Sequence, residues 1–589
     1  MNYSIRKGAI VHSDGIDAGS YRPAKVLMTR NLSGVLLLCL LSLVGFAGCS
    51  GDSPATITAQ YVYGPVPEWA RTGNFSFARW DGGPIEVSKG ALSGWPGFVV
   101  PDPQVIYATT HLYDPPTVEL LERAHVNWIW VTWSVGFSNQ TEAAQQVLLR
   151  KYIEDCHRHG IHVTAYMSIG NIFWEDMFAY VPESRDWLLR INGQPVPYGT
   201  ADYAAVGRVT RYLADLSLEA WQQYTLGRVI AAVDAGADAI MFDNNSSLYS
   251  RQLLEQFTAR ALAEARKKNP QVVMSSNYPR EMVIAARVEN AITSEQGWEP
   301  GIFGSAGPPP DRWNAAPEVV AVSDGLLVLN AGLLRVLWAV SQGVRPVTIE
   351  YGNRHAGDRF LNTLPPSHQK LALAECAAFH AANEQYHEST TLRELFLGQP
   401  DALENWDAVA EYNAFLQKYA EFYREPVSLA RVAVIVDPKA TDLAFLDTLA
   451  ARNLMYDVVF EQDATAQNLD RYRLVIATPS VAQRPGWKRY AELSPAELAA
   501  ASPASVTAPD SVVVNAHGQS GSSRILVHLL NYADTPVFDI DLKVSGQFAS
   551  ARLLSPDIEP RSIPLSSEGS LTQARIPELR IYDLLILEP

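Results

Sequence analysis

Between Val105 and about Tyr386, short runs of β-branched and aromatic residues alternate with stretches of amphipathic helical periodicity. Few folds accept that alternation, because strand, helix and next strand pack as a parallel sheet with helices on its face. The pattern predicts strands over 105–109, 128–133, 162–168, 239–243, 272–276, 291–295 and 346–351, with a short eighth over 384–387. Helices are expected between them over 117–124, 141–159, 218–235, 253–268, 331–342 and 368–382. Eight such units in about 290 residues match a (β/α)8 TIM barrel. An open doubly wound sheet binding a nucleotide would carry a Gly-rich phosphate loop after its first strand, and none follows residue 109.

The texture changes after the barrel. Val432 to Val436, a helix over 441–452, and short apolar runs over 456–460 and 474–477 read as a small flavodoxin-like α/β domain. Runs over 511–514, 525–530, 537–544, 550–554 and 581–587, separated by Gly, Pro, Asp and Ser, read as a C-terminal β-sandwich. The expected division is a signal peptide over 1–48, a tether and lead-in over 49–100, the barrel over 101–425, the α/β domain over 426–495 and the sandwich over 496–589. A chain that is 47% hydrophobic and 19% charged can fill such cores. Its net charge of -16 offers no basic face to phosphates, which excludes a nucleic-acid partner.

Arg30, the uncharged run Leu32 to Phe46 and the small residues Ala47-Gly48 form a basic flank, an apolar core and a small-residue exit, the pattern of an export signal. The run is shorter than the roughly 20 residues that span a bilayer. Phe46-Ala47-Gly48-Cys49 resembles the bacterial lipobox, which implies lipidation of Cys49 and a lipid-anchored, exported protein at the outer membrane or its periplasmic side. Met28 would give a leader of ordinary length. Of the four cysteines, only Cys156 and Cys376 remain for the body, and both sit in helical patterns that suit small buried residues. No Cys-x-x-Cys or His-Glu-x-x-His spacing occurs, and neither a metal nor an organic cofactor is expected.

In barrels the reacting groups stand at the C-terminal ends of the strands. Those ends carry His111, Trp133, Tyr166 with Asn171 beyond it, Asp243-Asn244-Asn245, Asn277, Glu295 followed by Trp298, and Glu350-Tyr351. Asp243 and Glu295 each leave an apolar strand, two strands apart, where they can converge on one sugar ring. One ionised and one protonated carboxyl group is what glycosidic-bond cleavage requires. The structural alternatives are that Asp243 caps the next helix and that Glu295 pairs with Arg287 or Arg335. Glu350 is the main rival for the acid, with Glu299 and Glu175 in adjoining loops. Trp133, Tyr166, Trp174, Trp298 and Tyr351 are placed to line sugar subsites, and His111, Asn171, Asn244 and Asn277 to bind hydroxyls.

On these residues the chain resembles two groups of glycosidases. The order of barrel, α/β domain and sandwich is similar to that of the trimeric β-galactosidases. The strand-four run Ala239-Ile240-Met241-Phe242-Asp243 resembles enzymes with an Asp nucleophile there, such as α-L-fucosidases, α-galactosidases and dextran-processing glycosidases. That resemblance implies Asp243 as nucleophile and Glu295 as acid/base of a retaining glycoside hydrolase acting on a carbohydrate substrate. The chain has Asp243-Asn244 where the trimeric β-galactosidases carry Asn-Glu, which favours α-linked substrates instead. The β-galactosidase likeness also implies a homo-oligomer built through the middle domain. A catalytically inactive glycan-binding lipoprotein and a barrel transglycosylase are the rival readings.

Overall fold

The computed structural model describes residues 65–71, 77–80, 111–203, 207–278, 280–298, 301–304, 319–322, 325–352, 365–387, 394–487, 489–490, 493–494, 497–498 and 501–589. All of them belong to one compact unit, Tyr61–Pro589. Eight parallel strands form the central sheet: β1 Phe77–Trp80, β2 Trp128–Ser134, β3 His162–Ser168, β4 Ala239–Asp243, β5 Val273–Ser276, β6 Ile292–Trp298, β7 Val347–Gly352 and β8 Ala382–His387. Their order is β5-β4-β3-β2-β1-β8-β7-β6. The outermost two, β5 and β6, are consecutive in the chain and meet through a parallel bridge between Asn277 and Thr293. The Ala291 N–H also donates to the Met274 carbonyl at 3.1 Å.

Helices α1 Pro115–Arg123, α2 Asn139–Arg158, α3 Glu219–Asp234, α4 Arg251–Arg266, α5 Ala331–Ser341 and α6 Pro366–Ala378 alternate with the strands, and a 3-10 helix, Arg280–Val288, joins β5 to β6. They lie within two residues of the expected spans at most ends. A further helix, α7 Pro400–Lys418, follows β8 and packs on α6. Among the described residues no helix is long and apolar enough to cross a membrane.

The pleat sorts side chains to two faces. Ile129, Val131, Val163, Ala165, Ile240, Phe242, Val347 and Ile349 join the outer core under the helices. Trp128, Trp130, Tyr166, Ala239, Met241, Val273 and Ala382 form a separate inner cluster. A polar belt crosses that inner face, where the Thr293 hydroxyl bonds Ser275 and Thr348, each at 2.9 Å. A short helix, Glu68–Arg71, plugs the N-terminal rim: Ala70 joins the inner cluster, and the Trp69 ring stacks on His162 at 4.0 Å.

Here the sequence reading needs correcting. The strand between β8 and β2 is Phe77–Trp80, inside the span read as a lead-in. The strand expected over 105–109 lies outside the described residues, as do the signal segment over 1–48 and Cys49.

Val432–Val436, Asp457–Phe460 and Leu474–Ala477 form a three-stranded parallel sheet with the first strand central. The C-terminal strands form a six-stranded and a four-stranded antiparallel sheet around their own core. Pro426–Ser428, expected at the start of the α/β domain, pairs instead with the sandwich strand Val512–Gln519. Cys156 and Cys376 are free and buried.

Polar contacts tie the C-terminal antiparallel sheets to the central sheet and its helices. The buried Glu375 carboxyl accepts from the Tyr351 hydroxyl at 2.6 Å, from Tyr532 of the sandwich at 2.7 Å, and from the Asn330 N–H and amide, each at 2.9 Å. Elsewhere, His528 bonds His517 at 3.1 Å and Tyr582 at 2.8 Å, while the His380 ring lies 4.6 Å from that of His517. Burial holds all three imidazoles below their ordinary range, His517 at about 4. The unfolded chain therefore takes up the proton first as pH falls below about 6.5, so stability is lost in acid. His517 alone is expected to cost about 2 kcal/mol between pH 8 and pH 5. In thermal unfolding, His517→Gln should lose less of its Tm over that range than the wild type. Equal losses would show that the imidazole is not held neutral.

Candidate active site

Asp243 is the last residue of β4, in register with Ser168 of β3, and its side chain continues the inward row of Ala239 and Met241. It does not cap a helix: α4 starts eight residues later, capped by the Ser250 hydroxyl. Three donors meet its carboxylate. The Tyr166 hydroxyl donates to Oδ2 at 2.6 Å, the Asn244 amide to the same oxygen at 3.1 Å, and the Asn277 amide to Oδ1 at 3.1 Å.

The same Asn277 nitrogen donates to Glu295 Oε2 at 2.8 Å. Two oxygens that share one nitrogen at these distances lie no more than about 6 Å apart. The two N–H bonds of an amide diverge by about 120°, which places the oxygens about 5 Å apart. Both carboxyl groups are half-buried. Backbone bonds hold the bridging residue, since Asn277 N–H donates to the Phe242 carbonyl at 2.8 Å and its own carbonyl accepts from the buried Asn245 amide at 2.9 Å.

Glu295 reaches the pair through a bulge. The β6–β7 register slips between Ser294 and Gly297, which leaves Glu295 and Gln296 opposite Glu350. Gly297 is required there, because a Cβ would sit 2.4 Å from the Tyr351 ring. The two arginines considered as partners of Glu295 bind elsewhere: Arg287 pairs with Asp463, and Arg335 donates to the Tyr456 carbonyl at 2.6 Å and to Asn515 at 3.0 Å.

A long excursion between β3 and α3 reaches this mouth. Asn171–Phe173 pairs with Gly207–Leu213, which pairs with Pro197–Tyr203, giving a three-stranded antiparallel sheet. Its base is fixed to the helices and loops of the central sheet, with the Trp221 indole donating to the Ile169 carbonyl at 2.9 Å and the Tyr249 hydroxyl to that of Ala214 at 2.7 Å. Gly170 lies so close to strand four that a Cβ would be 2.0 Å from the Asn244 carbonyl oxygen. Asn244 itself is left-handed, with φ 61°, a conformation that Asn tolerates.

Tyr198 on this hairpin feels the charge of the site. Burial and the charges of Asp243 and Glu295 push its hydroxyl well above the usual phenol range, and Arg211 opposes them. The hydroxyl therefore lies within the field of both carboxylates. Arg211 stands beside it, its guanidinium carbon 5.3 Å from the Tyr198 ring centroid. Neither residue was expected. The signal was the unassigned stretch between 168 and 218, far longer than an ordinary βα loop and so a place to look for function.

Of the expected residues, Tyr166, Asp243, Asn244, Asn277 and Glu295 come together. Glu350 is fully buried, in register with Glu384 of β8. Trp133 and Tyr351 belong to the outer core, because the pleat turns them toward the helices, and Tyr351 is occupied by Glu375. Asn171 is buried at the hairpin base against Gly136. His111 precedes α1, 3.9 Å from Asp114, and the strand beside β2 ends at Trp80 instead. Trp298 closes β6 in register with Gly352. Glu299 lies outside the described residues.

No family model and no curated protein matches the chain. Solved structures do. Alpha-L-fucosidase isoenzyme 2 from Paenibacillus thiaminolyticus superposes with a TM-score of 0.58 at 12% identity, covering 87% of this chain and 99% of the fucosidase. The beta-galactosidase from Rahnella sp. R3 gives 0.50 at 11% identity, covering 86% and 99%. The fold is therefore an α/β architecture shared with glycoside hydrolases.

Gly170→Ala should destabilise the protein by about 1–3 kcal/mol or more, since the methyl group overpacks against backbone. Gly227→Ala, at an exposed helical site with open space around it, should instead stabilise by about 0.5–1 kcal/mol. Denaturant unfolding of the two variants checks the opposite signs.

Proposed function

We propose that the protein is a retaining glycoside hydrolase built on a closed (β/α)8 barrel. Closure is supported by the β5–β6 bridge and the Ser275–Thr293–Thr348 belt. The observation that carries the mechanism is the single amide NH2 that reaches both Asp243 and Glu295. The upper bound of about 6 Å that it sets on the separation of the two nearest oxygens favours the roughly 5–5.5 Å between carboxyl groups of retaining enzymes over the roughly 6.5–9.5 Å of inverting ones.

Asp243 is the nucleophile in this reading. An ionised carboxylate only accepts hydrogen bonds, and Asp243 meets three donors aimed at its two oxygens. One oxygen attacks the anomeric carbon as the glycosidic C–O bond breaks, while Glu295 gives its proton to the departing oxygen. Glu295, now ionised, takes a proton from water, which attacks the same carbon and releases Asp243. The Tyr166 hydroxyl then stabilises the negative charge returned to Asp243. Glu295 suits the acid/base role better than Glu350, because it is half-exposed at the mouth and Glu350 is buried.

The remaining readings extend this one. The likeness to a fucosidase and a galactosidase supports a sugar substrate. The leader and Cys49 support export and a lipid anchor at the cell surface or periplasmic face. The three-stranded α/β segment is proposed to mediate oligomers, and transglycosylation is the variant of the same covalent route in which a sugar hydroxyl replaces water.

Asp243→Ala and Glu295→Ala should each lower kcat on a panel of α- and β-linked aryl glycosides by about 10³-fold or more. Added azide should restore both, with opposite configurations of the glycosyl azide identifying nucleophile and acid/base. A wild type inert on every glycoside and polymer, yet retarded on a polysaccharide gel, would replace the enzyme by a glycan binder. In membrane fractionation, the full chain should sediment with membranes and Cys49→Ala should not; identical behaviour would remove the lipid anchor.

A further inference from the structure

The hairpin that packs against the end of strand four carries a cation with no carboxylate partner among the described residues. Arg211 has no carboxylate within 4 Å among the described residues, in a chain whose net charge is -16. Its Nε is shut off from solvent and meets no acceptor. Its Nη2 makes only a long 3.5 Å contact with the Tyr198 carbonyl. A half-buried guanidinium left in this state is costly, and a structural role would ordinarily supply acceptors from the backbone around it. Arg335, elsewhere in the molecule, also has a buried Nε without an acceptor, but its two terminal nitrogens meet a carbonyl at 2.6 Å and a side-chain amide oxygen at 3.0 Å.

Arg211 is also held in place. It lies on the central strand of the hairpin, in register with Phe173, and against the face of Tyr198. The hairpin is tied to the strand that ends in Asp243, because Gly170, next to its first strand, lies against the Asn244 carbonyl, and the Tyr198 hydroxyl feels the charges of Asp243, Glu295 and Arg211. A mouth lined by two carboxylates repels an anionic sugar unless a fixed cation offsets them. The planar guanidinium fork matches a carboxylate, which it can bind through two parallel N–H bonds.

We infer that the glycosyl unit held between the hairpin and the carboxylate pair carries a carboxylate of its own, bound by Arg211, so that the preferred substrates are uronosides rather than neutral hexosides. The inference rests on the glycosidase reading and names its substrate class. Recognition of the acid is separable from cleavage, because Arg211 belongs to the hairpin and the carboxyl pair to the strands.

The test uses 4-nitrophenyl uronosides and neutral hexosides of matching configuration, with the mature wild type, Arg211→Gln and Arg211→Lys. In parallel, saturation-transfer NMR compares sodium glucuronate and galacturonate with glucose and galactose on the same proteins, and thermal unfolding establishes that the variants are folded. The wild type should favour the uronoside in kcat/KM by about tenfold or more, and Arg211→Gln should lower that selectivity ratio by about 10- to 100-fold, with Lys in between. Added salt should raise KM for the uronoside more than for the hexoside. If neutral hexosides are preferred, or if Arg211→Gln leaves the ratio unchanged, the inference is overturned while the hydrolase stands. If uronates bind in an Arg211-dependent way and no glycoside is cleaved, acid recognition stands and the hydrolase falls. If neither binding nor cleavage is seen, both are overturned.

Discussion

One amide group sets the geometry of the mouth. Asn277 turns its NH2 toward two carboxyl groups that repel one another when both are ionised, and holds them at a fixed spacing. This works only if β4, β5 and β6 are locked together at their exits. The Asn245 amide ties the loop after β4 to the Asn277 carbonyl, and the Gly297 bulge swings Glu295 across from β6. The close approach of Gly170 to Asn244 then fixes the hairpin to the same strand end. Each device is local, but all converge on the position of one nitrogen.

Much of this was legible in the sequence, and the reasons for the rest are physical. Long apolar strands flanked by amphipathic helices announce themselves, so β2 to β7 fall where the periodicity puts them. β1 does not, because Phe77–Trp80 is only four residues long and lies among Pro- and Gly-containing sequence. At the strand ends, Asp243, Asn277 and Glu295 could be picked out because polar residues there interrupt apolar runs. The side chains of Trp133 and Tyr351 fall on the outer side of the pleat. Glu350 and Tyr351 are adjacent in β7 and cannot both face the same side, which the alternation alone would have settled. Tyr198 and Arg211 sit in an insertion whose strands mix Gly, Asp and Arg, and no periodicity links them to strand four.

The C-terminal antiparallel sheets are joined to the central sheet and its helices through buried polar groups. Glu375 collects hydrogen bonds from a strand of the central sheet, a helix start and the residue after a C-terminal strand, while elsewhere buried His517 and His528 stack on each other. Apolar surfaces alone would allow the two parts to slide. Directional bonds with few geometric solutions hold the docking at one angle, and the cost is sensitivity to protonation.

The pairing of β1 with β8 has a consequence for the order in which the molecule can assemble. Phe77 lies beside Glu384, a separation of roughly 300 residues, so a strand made early must wait for one made late. The helix Glu68–Arg71, which fills the N-terminal rim, is in the same position. Until β8 arrives, the inner row of Trp128, Trp130 and Met241 has no complete wall around it. A chain with this connectivity leaves the first strand without its β8 neighbour until most of the sequence has been made, so the apolar inner row stays open to non-native contacts for that time.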